Sequence, residues 1–109
     1  MIYLSGKITG NPLYKHEFRT AESTFKALGF EVFNPALIDL GAEATWSDYM
    51  KRDIPELCKC DTIVMIKGWI WSKGARLERK IAKKLGLTII EFNPDDKTIK
   101  GLAEKVVYL

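Results

Sequence analysis

Two acidic residues each interrupt the apolar face of a predicted helix. On a helical wheel at about 100° per residue, Glu78 is the one charged residue in the apolar arc of its segment. That arc holds Ala75, Leu77, Ile81, Ala82 and Leu85. Asp53 interrupts a second arc, which holds Tyr49, Met50, Ile54 and Leu57. Because desolvating a lone carboxylate is costly, each acid must have a partner or must line a wet cleft.

An ion pair or a helix cap is the simpler interpretation for either acid alone. Two such acids, on helices that flank one predicted strand, favour a functional site. Paired carboxylates beside a sugar suit glycosidic chemistry, in which one carboxylate attacks or stabilises the oxocarbenium-like carbon and another group protonates the leaving group. The pattern therefore favours glycosyl transfer.

Four apolar runs bounded by turn residues predict strands at 1–4, 30–33, 61–66 and 88–92. Between them lie segments with helical spacing. Asn11 and Pro12 are read as the N-cap and first position of a helix that carries Phe18, Ala21, Phe25 and Leu28 and closes at Gly29. Residues 36–44 read as a loop and 68–73 as a loop rich in tryptophan.

Thr45 and Asp48 resemble a capping box that opens a helix at Trp46, which we expect Pro55 to kink or divide. A third helix, 74–85, ends before Gly86, and a last helix is predicted from Ile99, Leu102 and Val106. With 109 residues, one domain is expected. Alternating strands and helices predict a small doubly wound α/β domain, flavodoxin- or Rossmann-like, with a four- to five-stranded parallel sheet flanked by helices.

Ligands of such sheets bind at the carboxyl ends of the strands, here the loops after Leu4, Phe33 and Ile66. Substrate contacts are therefore expected from residues of these loops: Ser5, Gly6, Lys7, Ile8, Gly10, Asn34, Gly68, Trp69, Ser72 and Gly74.

Other candidates are weaker. Ser72, Lys73 and the free amides of Gly74 and Ala75 form a plausible phosphate cradle, although a serine before a helix is first of all an N-cap.

Tryptophans could stack on a base but are more often core or interface residues; the chain has Trp46, Trp69 and Trp71. We interpret the basic face of the third helix as solvated, with a nucleic-acid patch as the alternative; it consists of Arg76, Arg79, Lys80, Lys83 and Lys84. Asp61 reads as a turn or cap residue and His16 has no predicted role.

Composition limits the function classes. A net charge of +3 permits small anionic ligands, and it does not by itself indicate a nucleic-acid partner. Cys58, Cys60 and the single His16 cannot supply a three- or four-ligand zinc site, so a structural zinc is not expected. Glycosidic chemistry with paired carboxylates needs no metal or organic cofactor. No run approaches the roughly 20 apolar residues of a membrane span, and residues 1–5 lack the basic start of a signal peptide. A cytoplasmic protein without a disulfide is expected.

Three segments resemble the nucleoside 2-deoxyribosyltransferase-like superfamily, in particular its short, often phage- or prophage-encoded members described as a domain of unknown function. The segments are 2–10 (IYLSGKITG), 49–54 (YMKRDI) and 72–78 (SKGARLE) followed by Ala82. The resemblance covers most of the chain, and the order and spacing of the segments are fairly specific.

The resemblance implies roles for individual residues. Glu78 matches the nucleophilic glutamate that forms a covalent glycosyl intermediate, and Asp53 matches an aspartate that assists the sugar and the leaving base. Tyr3 matches a tyrosine that helps to hold the nucleophile. Gly6 and Gly10 match glycines that let the first loop approach the ligand.

Two positions depart from the pattern of the characterised transferases. Ser72 stands where enzymes acting on free deoxynucleosides carry an aspartate, and it looks more like the nucleoside 5′-monophosphate hydrolase branch, in which a serine contacts the phosphate. Lys80 replaces a common glycine. The characterised transferases are longer and complete their sites with residues of a neighbouring subunit, so a homodimer or larger assembly is expected.

The resulting hypothesis is an enzyme that cleaves or transfers the N-glycosidic bond of a (deoxy)nucleoside or its 5′-monophosphate through Glu78. One alternative is a non-catalytic module that binds a nucleotide or nucleotide sugar at the same edge. The other is a nucleic-acid-binding protein that uses the basic helix face.

Overall fold

Strands and helices alternate along the chain, as the sequence predicts. The computed structural model describes residues 1–101. Its strands are β1 (Ile2–Ser5), β2 (Val32–Phe33), β3 (Thr62–Ile66), β4 (Thr88–Asn93) and β5 (Thr98–Lys100). Its helices are α1 (Tyr14–Ala27), α2 (Trp46–Cys58) and α3 (Lys73–Lys84). Short 3₁₀ helices at Pro35–Leu37 and Trp69–Trp71 lie in the two segments read as loops.

The strands form one sheet in the order β2-β1-β3-β4-β5. The first four are parallel, and Tyr3 of β1 lies opposite Phe33 on one side and Ile63 on the other. The carboxyl ends of β1, β2 and β3 therefore meet at one edge of the sheet. The predicted doubly wound α/β domain is confirmed.

The prediction of a fully parallel sheet is wrong at β5, which pairs antiparallel with β4. Ile99, assigned to a last helix, lies opposite Phe92 in this hairpin, while Leu102 and Val106 lie outside the described residues. Local hydrogen bonds make the turn: the side chains of Asn93 and Asp96 accept from the amides two residues later, and Lys97 adopts a positive φ of 59°.

Side chains of β1 alternate between two cores. Ile2 and Leu4 pack with Phe18 and Phe25 of α1 on one face of the sheet. Tyr3 belongs to the opposite core, which α2 and α3 cover with Leu57, Ala75 and Ala82. Ser5, two residues after Tyr3, is buried on the same side, so β1 presents two hydroxyl groups to α3.

The start of α1 differs from the prediction. The helix begins at Tyr14, because the Asn11 side chain accepts a hydrogen bond from the amide of Leu13 in a turn that precedes the helix. Leu28, expected on the buried face, is 52% exposed beyond the helix end. Gly29 closes the helix with a φ of 93°, a conformation that favours glycine.

The capping box of α2 is confirmed, with Thr45 Oγ1 accepting from the amide of Asp48 and the Asp48 carboxylate accepting from the amide of Thr45. The expected division at Pro55 is wrong, because the helix is continuous past it. Burial of Met50 and Leu57 on either side of Pro55 outweighs the lost backbone hydrogen bond.

Helix α3 also follows its predicted boundaries closely. Ser72 is the N-cap, and Gly86 follows the helix with a φ of 76°. Leu85, placed in the apolar arc, is 54% exposed because the arc is buried only where α3 lies over the sheet. Among residues 1–101, no helix has the length and apolar character required to cross a membrane.

Replacing Thr45 with alanine tests the contribution of the α2 capping box. The change removes the acceptor for the Asp48 amide and is expected to lower the free energy of unfolding by about 1 kcal/mol. Urea denaturation measures the loss. Ser47→Ala, an exposed serine two residues into the same helix, is the matched control and should change stability by less than half as much. Equal losses in the two variants would contradict the assignment.

Candidate active site

Glu78 lies beneath the first turns of α3, on the face that this helix turns toward the sheet. Ala75, Glu78 and Ala82 are the buried residues of the helix, and Glu78 is only 6% exposed. The helical wheel therefore predicted the direction of this side chain correctly. Because α3 begins directly after the 3₁₀ turn that follows β3, the carboxylate lies near the carboxyl edge of the sheet.

Two hydroxyl groups of β1 hold the Glu78 carboxylate. Tyr3 donates its phenolic hydrogen to Oε2, and Ser5 donates from Oγ to Oε1 at 2.7 Å. Each carboxylate oxygen thus has one neutral donor and keeps lone pairs for a further contact. The two donors fix the orientation of the carboxylate without neutralising its charge.

Burial is the main influence on the protonation of Glu78. It raises the pKa of this carboxyl to about 7, with the nearby charge of Asp53 acting in the same direction. The hydrogen bonds from Tyr3 and Ser5 oppose this rise because they favour the ionised form. Burial, together with the charges of Glu78 and Asp53, also raises the pKa of the Tyr3 hydroxyl, so Tyr3 remains a hydrogen-bond donor.

Asp53 is the second buried acid, 7% exposed, on the face of α2 that holds Met50 and Leu57. Its partner is the adjacent Arg52, whose Nη2 and Nε lie 2.6 and 2.7 Å from Oδ1. Burial raises the pKa of the Asp53 carboxyl, and the hydrogen bond and charge of Arg52 oppose the rise. Asp53 therefore has an ion-pair partner and also faces a cavity. The sequence left open a structural ion pair and a carboxylate lining a cleft, and both descriptions apply to Asp53.

Both acids line one cleft of about 1080 Å³. Of the loop residues expected to contact substrate, seven line the same cleft: Ser5, Gly6, Lys7, Ile8, Asn34, Ser72 and Gly74. The sheet edge, the start of α1 and the facing turns of α2 and α3 form its walls. The topology thus brings most of the predicted substrate-binding residues together around the two carboxylates.

Three of the expected loop contacts lie elsewhere. Gly10 is exposed and does not line the cleft. Gly68 adopts a φ of 96° and turns the chain so that Trp69 packs against the core beneath α3, with the Arg79 guanidinium 5.1 Å from its ring centre. Gly68 and Trp69 instead line a separate cavity of about 410 Å³ beside β4 and β5. Tyr3 is fully buried and reaches the cleft only through Glu78.

Two glycines lie where a side chain would be tightly packed. A Cβ on Gly6 would lie 3.1 Å from Cβ of Ile66 and 3.3 Å from the Phe18 ring, and a Cβ on Gly74 would lie 3.3 Å from Nε1 of Trp46. Gly6 therefore lets α1 approach the sheet, in addition to any approach of a ligand. Gly74 lets the first turns of α2 and α3 meet.

The proposed phosphate cradle is an N-cap in the structure, because Ser72 Oγ accepts from the amide of Ala75 at 3.1 Å. Cationic side chains line the cleft as well. Four of them have no carboxylate within ion-pair distance among residues 1–101: Lys7, Lys15, Arg19 and Lys73. Lys73 lies 4.1 Å from the Trp46 ring centre. Across the described part of the chain, no three His, Cys, Asp or Glu side chains cluster closely enough to hold a metal ion.

Arg52 is one residue of this site that the sequence pattern did not single out, and Lys15 and Arg19 of α1 are two others. Arg52 lies within the segment 49–54 and directly precedes Asp53, but its position on the wheel is outside the apolar arc. Its side chain folds back to the acid and to the loop after β2, which the helical period does not encode. The sequence did hold one signal for this pair, because an arginine stands directly before the acid that interrupts the apolar face.

Replacing Glu78 with glutamine tests the cost of burying this carboxylate. The folded state raises the pKa from an ordinary value of 4.5 to about 7, so the folded protein binds the proton more tightly than the unfolded chain. This tighter proton binding contributes to the free energy of unfolding. The contribution is complete below about pH 4.5 and is lost as the pH rises through 7. Glu78→Gln should therefore be more stable than the wild type at pH 8.5, by at most about 3 kcal/mol, with little of this gain at pH 5.

Urea unfolding at the two pH values measures this difference. Glu91→Gln, which replaces an exposed glutamate on β4, is the control for the general effect of losing one negative charge. Stability curves of the wild type and Glu78→Gln that run parallel between pH 5 and 8.5 would show that the burial of Glu78 carries no such cost.

Residues 1–91 match the model of a protein family described as Domain of unknown function (DUF4406). No curated protein matches the chain significantly in sequence. Among solved structures, the fold is similar to that of a 2-deoxyribosyltransferase from Bacillus psychrosaccharolyticus, a psychrotolerant bacterium. The TM-score is 0.68 at 23% identity, and the match covers 85% of this chain and 72% of the transferase.

This likeness is one of fold, because the chain and the transferase share the same architecture at 23% identity. The family match covers well over half of the chain and includes β1, α2 and α3, which carry the hydroxyl pair and both buried acids. The chain therefore belongs to the DUF4406 family of domains of unknown function.

Proposed function

We propose that this protein cleaves or transfers the N-glycosidic bond of a deoxynucleoside or its 5′-monophosphate, with Glu78 as the nucleophile. The observation that carries the proposal is a buried carboxylate that two neutral hydroxyl groups hold at the wall of a cleft, with a second carboxylate in the same cleft. A nucleoside-acting enzyme of the same fold supports the substrate class.

In the first step, an ionised oxygen of Glu78 attacks the anomeric carbon of the sugar. A bond forms between that carbon and the carboxylate oxygen while the bond to the base nitrogen breaks. The electron pair of the broken bond leaves with the base, which takes up a proton from water in the cleft. The product is a glycosyl ester of Glu78 and a free base.

Tyr3 and Ser5 contribute by orientation. Their hydroxyl groups hold the carboxylate before attack, and the hydrogen bonds weaken when esterification removes the negative charge. Asp53 supplies a second negative charge to the cleft, which stabilises the positive charge that develops on the sugar ring in an oxocarbenium-like transition state.

In the second step, water or a second base attacks the same anomeric carbon, and the bond to Glu78 breaks so that Glu78 leaves as a carboxylate. The attacking group gives its proton to the hydroxide that remained from the first step. Water gives hydrolysis, and a base gives transfer of the sugar. Four cationic side chains of the cleft have no carboxylate within ion-pair distance among residues 1–101, although the charge of Lys15 acts on Asp39. They suit a 5′-phosphate, which favours the monophosphate over the free nucleoside. The 5′-monophosphate is therefore the preferred candidate substrate.

The mouth of the cleft exposes apolar surface, including Trp71, which is 77% exposed, and Leu37, which is 69% exposed. Exposed aromatic and aliphatic residues beside a site are typical of a surface that a further chain covers. A homodimer or larger assembly stays a prediction.

Incubation with each deoxynucleoside and each deoxynucleoside 5′-monophosphate tests the activity. The wild type is expected to release free base, measured by chromatography, and Glu78→Ala should lower the rate at least about 1000-fold because the nucleophile is missing. Glu91→Gln is the control and should retain the wild-type rate. Base release that survives in Glu78→Ala would remove Glu78 from the mechanism.

A nucleotide could instead raise the melting temperature of both the wild type and Glu78→Ala while neither protein releases base. That result would favour the non-catalytic binding module. Retention on DNA that weakens with salt and with neutralisation of Lys80, Lys83 and Lys84 would favour the nucleic-acid-binding alternative.

The pH dependence of the rate tests the ionisation state of the nucleophile. Since attack requires the carboxylate, kcat/KM should fall about tenfold per pH unit below the pKa of Glu78, which burial raises to about 7, and should level off above it. Steady-state rates between pH 5 and 9 measure this profile. A rate that is already at its maximum at pH 5 would contradict a nucleophile with a raised pKa.

A further inference from the structure

Arg52 makes three hydrogen bonds and one ion-pair contact in the wall of the cleft. Its Nη2 and Nε both contact the same oxygen of Asp53, Oδ1, at 2.6 and 2.7 Å. The other contacts run to the backbone of the loop after β2, with Nη1 donating to the carbonyl of Ile38 at 3.0 Å and Nη2 to that of Pro35 at 3.2 Å. One guanidinium therefore joins the carboxylate of α2 to the loop after β2, which also lines the cleft.

This arrangement leaves the two oxygens of Asp53 unequal. Oδ1 is held by the arginine, whereas no other residue of the described range 1–101 donates a hydrogen bond to Oδ2. Asp53 lines the cleft, so Oδ2 is the oxygen that a ligand can reach. The planar guanidinium fixes the carboxylate plane, because Nε and Nη2 approach from one side in a rigid geometry that lysine cannot reproduce.

The loop on the other side of Arg52 is also fastened to α2. The Tyr49 hydroxyl accepts from the amide of Leu40 at 3.1 Å and lies 3.2 Å from Asp39, and the Arg52 guanidinium lies 5.3 Å from the Tyr49 ring centre. Tyr49 and Arg52 thus bind the segment 35–40 at several points. The backbone acceptors hold the guanidinium in place, so Arg52 can in turn hold Asp53.

We propose that Arg52 is a positioning residue, which keeps Asp53 ionised and directs its single open oxygen, Oδ2, at the sugar of the substrate. The inference rests on the proposed function for its kinetic consequence, but the geometry of the pair can be tested without activity. An ionised acceptor can bind a sugar hydroxyl and counter positive charge at the anomeric carbon. It cannot serve as the proton donor to the base, which is why water has that role in the mechanism.

Several charged groups surround Asp53 and enter any test based on pH. Arg52 favours its ionised form, whereas Glu56 on the same helix opposes it. Glu78 on α3 and the Tyr3 hydroxyl on β1 are both affected by the Asp53 charge. A measurement specific to the Asp53 carboxyl is therefore required, in addition to a rate profile that Glu78 dominates.

A double-mutant cycle separates positioning from a structural role. In the wild-type background, Arg52→Met should lower kcat/KM for base release about 10- to 100-fold. In an Asp53→Asn background, the same change should lower it less than about threefold, because the group that Arg52 positions is already lost. Arg52→Lys should recover part of the rate, since it restores the charge without the paired contacts. Lys51→Met, an exposed neighbour, removes the same charge from α2 and should leave the rate unchanged.

Carbon-13 NMR of the carboxyl groups measures the titration of Asp53 directly. Its pKa should be higher in Arg52→Met than in the wild type and unchanged in Lys51→Met. An equal loss of rate in both backgrounds, or an unaltered Asp53 titration in Arg52→Met, would overturn the inference. If the wild type releases no base from any nucleoside or monophosphate, the proposed function fails, and the NMR titration alone then decides whether Arg52 holds Asp53 ionised.

Discussion

The site depends on one costly arrangement, a carboxylate that the fold removes from water and supplies with only neutral donors. Glu78 is nearly fully buried, yet within residues 1–101 its hydrogen-bond partners are the hydroxyl groups of Tyr3 and Ser5, and no cation of that range pairs with it. Two hydroxyl donors recover part of the lost hydration, and the pKa that burial raises to about 7 shows that the recovery is incomplete. A residue of this kind costs stability, as is typical of positions retained for function.

The parallel sheet makes this arrangement possible. Because side chains alternate along β1, Ile2 and Leu4 anchor the strand in the core beneath α1 while Tyr3 and Ser5 face α3. A shift of one residue in the register of β1 would turn the apolar pair toward Glu78 and leave its carboxylate without donors. Pairing with β2 and β3 on both sides fixes that register, so the apolar core on one face determines the polar site on the other.

Patterns along the sequence predicted those features that depend on local period and chemistry. The wheel placed Glu78 and Asp53 on the buried faces of their helices, and the capping box of α2 was visible as Thr45 and Asp48. Features that depend on distant partners were not predictable in this way. Arg52 acquires its position from carbonyl groups 14 and 17 residues earlier in the chain. Ile99 follows a local hairpin turn and not the apolar spacing that suggested a helix. Leu85 shows that a wheel does not reveal where a helix leaves the sheet.

The two buried acids of the cleft, Glu78 and Asp53, differ in their partners, and this difference argues for different roles. A cation beside a carboxylate favours the ionised form but draws charge from the oxygen that it contacts, which makes the group a better fixed acceptor than a nucleophile. Asp53 has such a cation in Arg52. Neutral hydroxyl donors orient a carboxylate and offset only part of the rise in pKa that burial causes, and Glu78 has two of them. Two carboxylates in different surroundings can have different roles in one cleft. In the proposed mechanism, one attacks the sugar and the other stabilises positive charge. The roles proposed for Glu78 and Asp53 therefore follow from the partners of each acid.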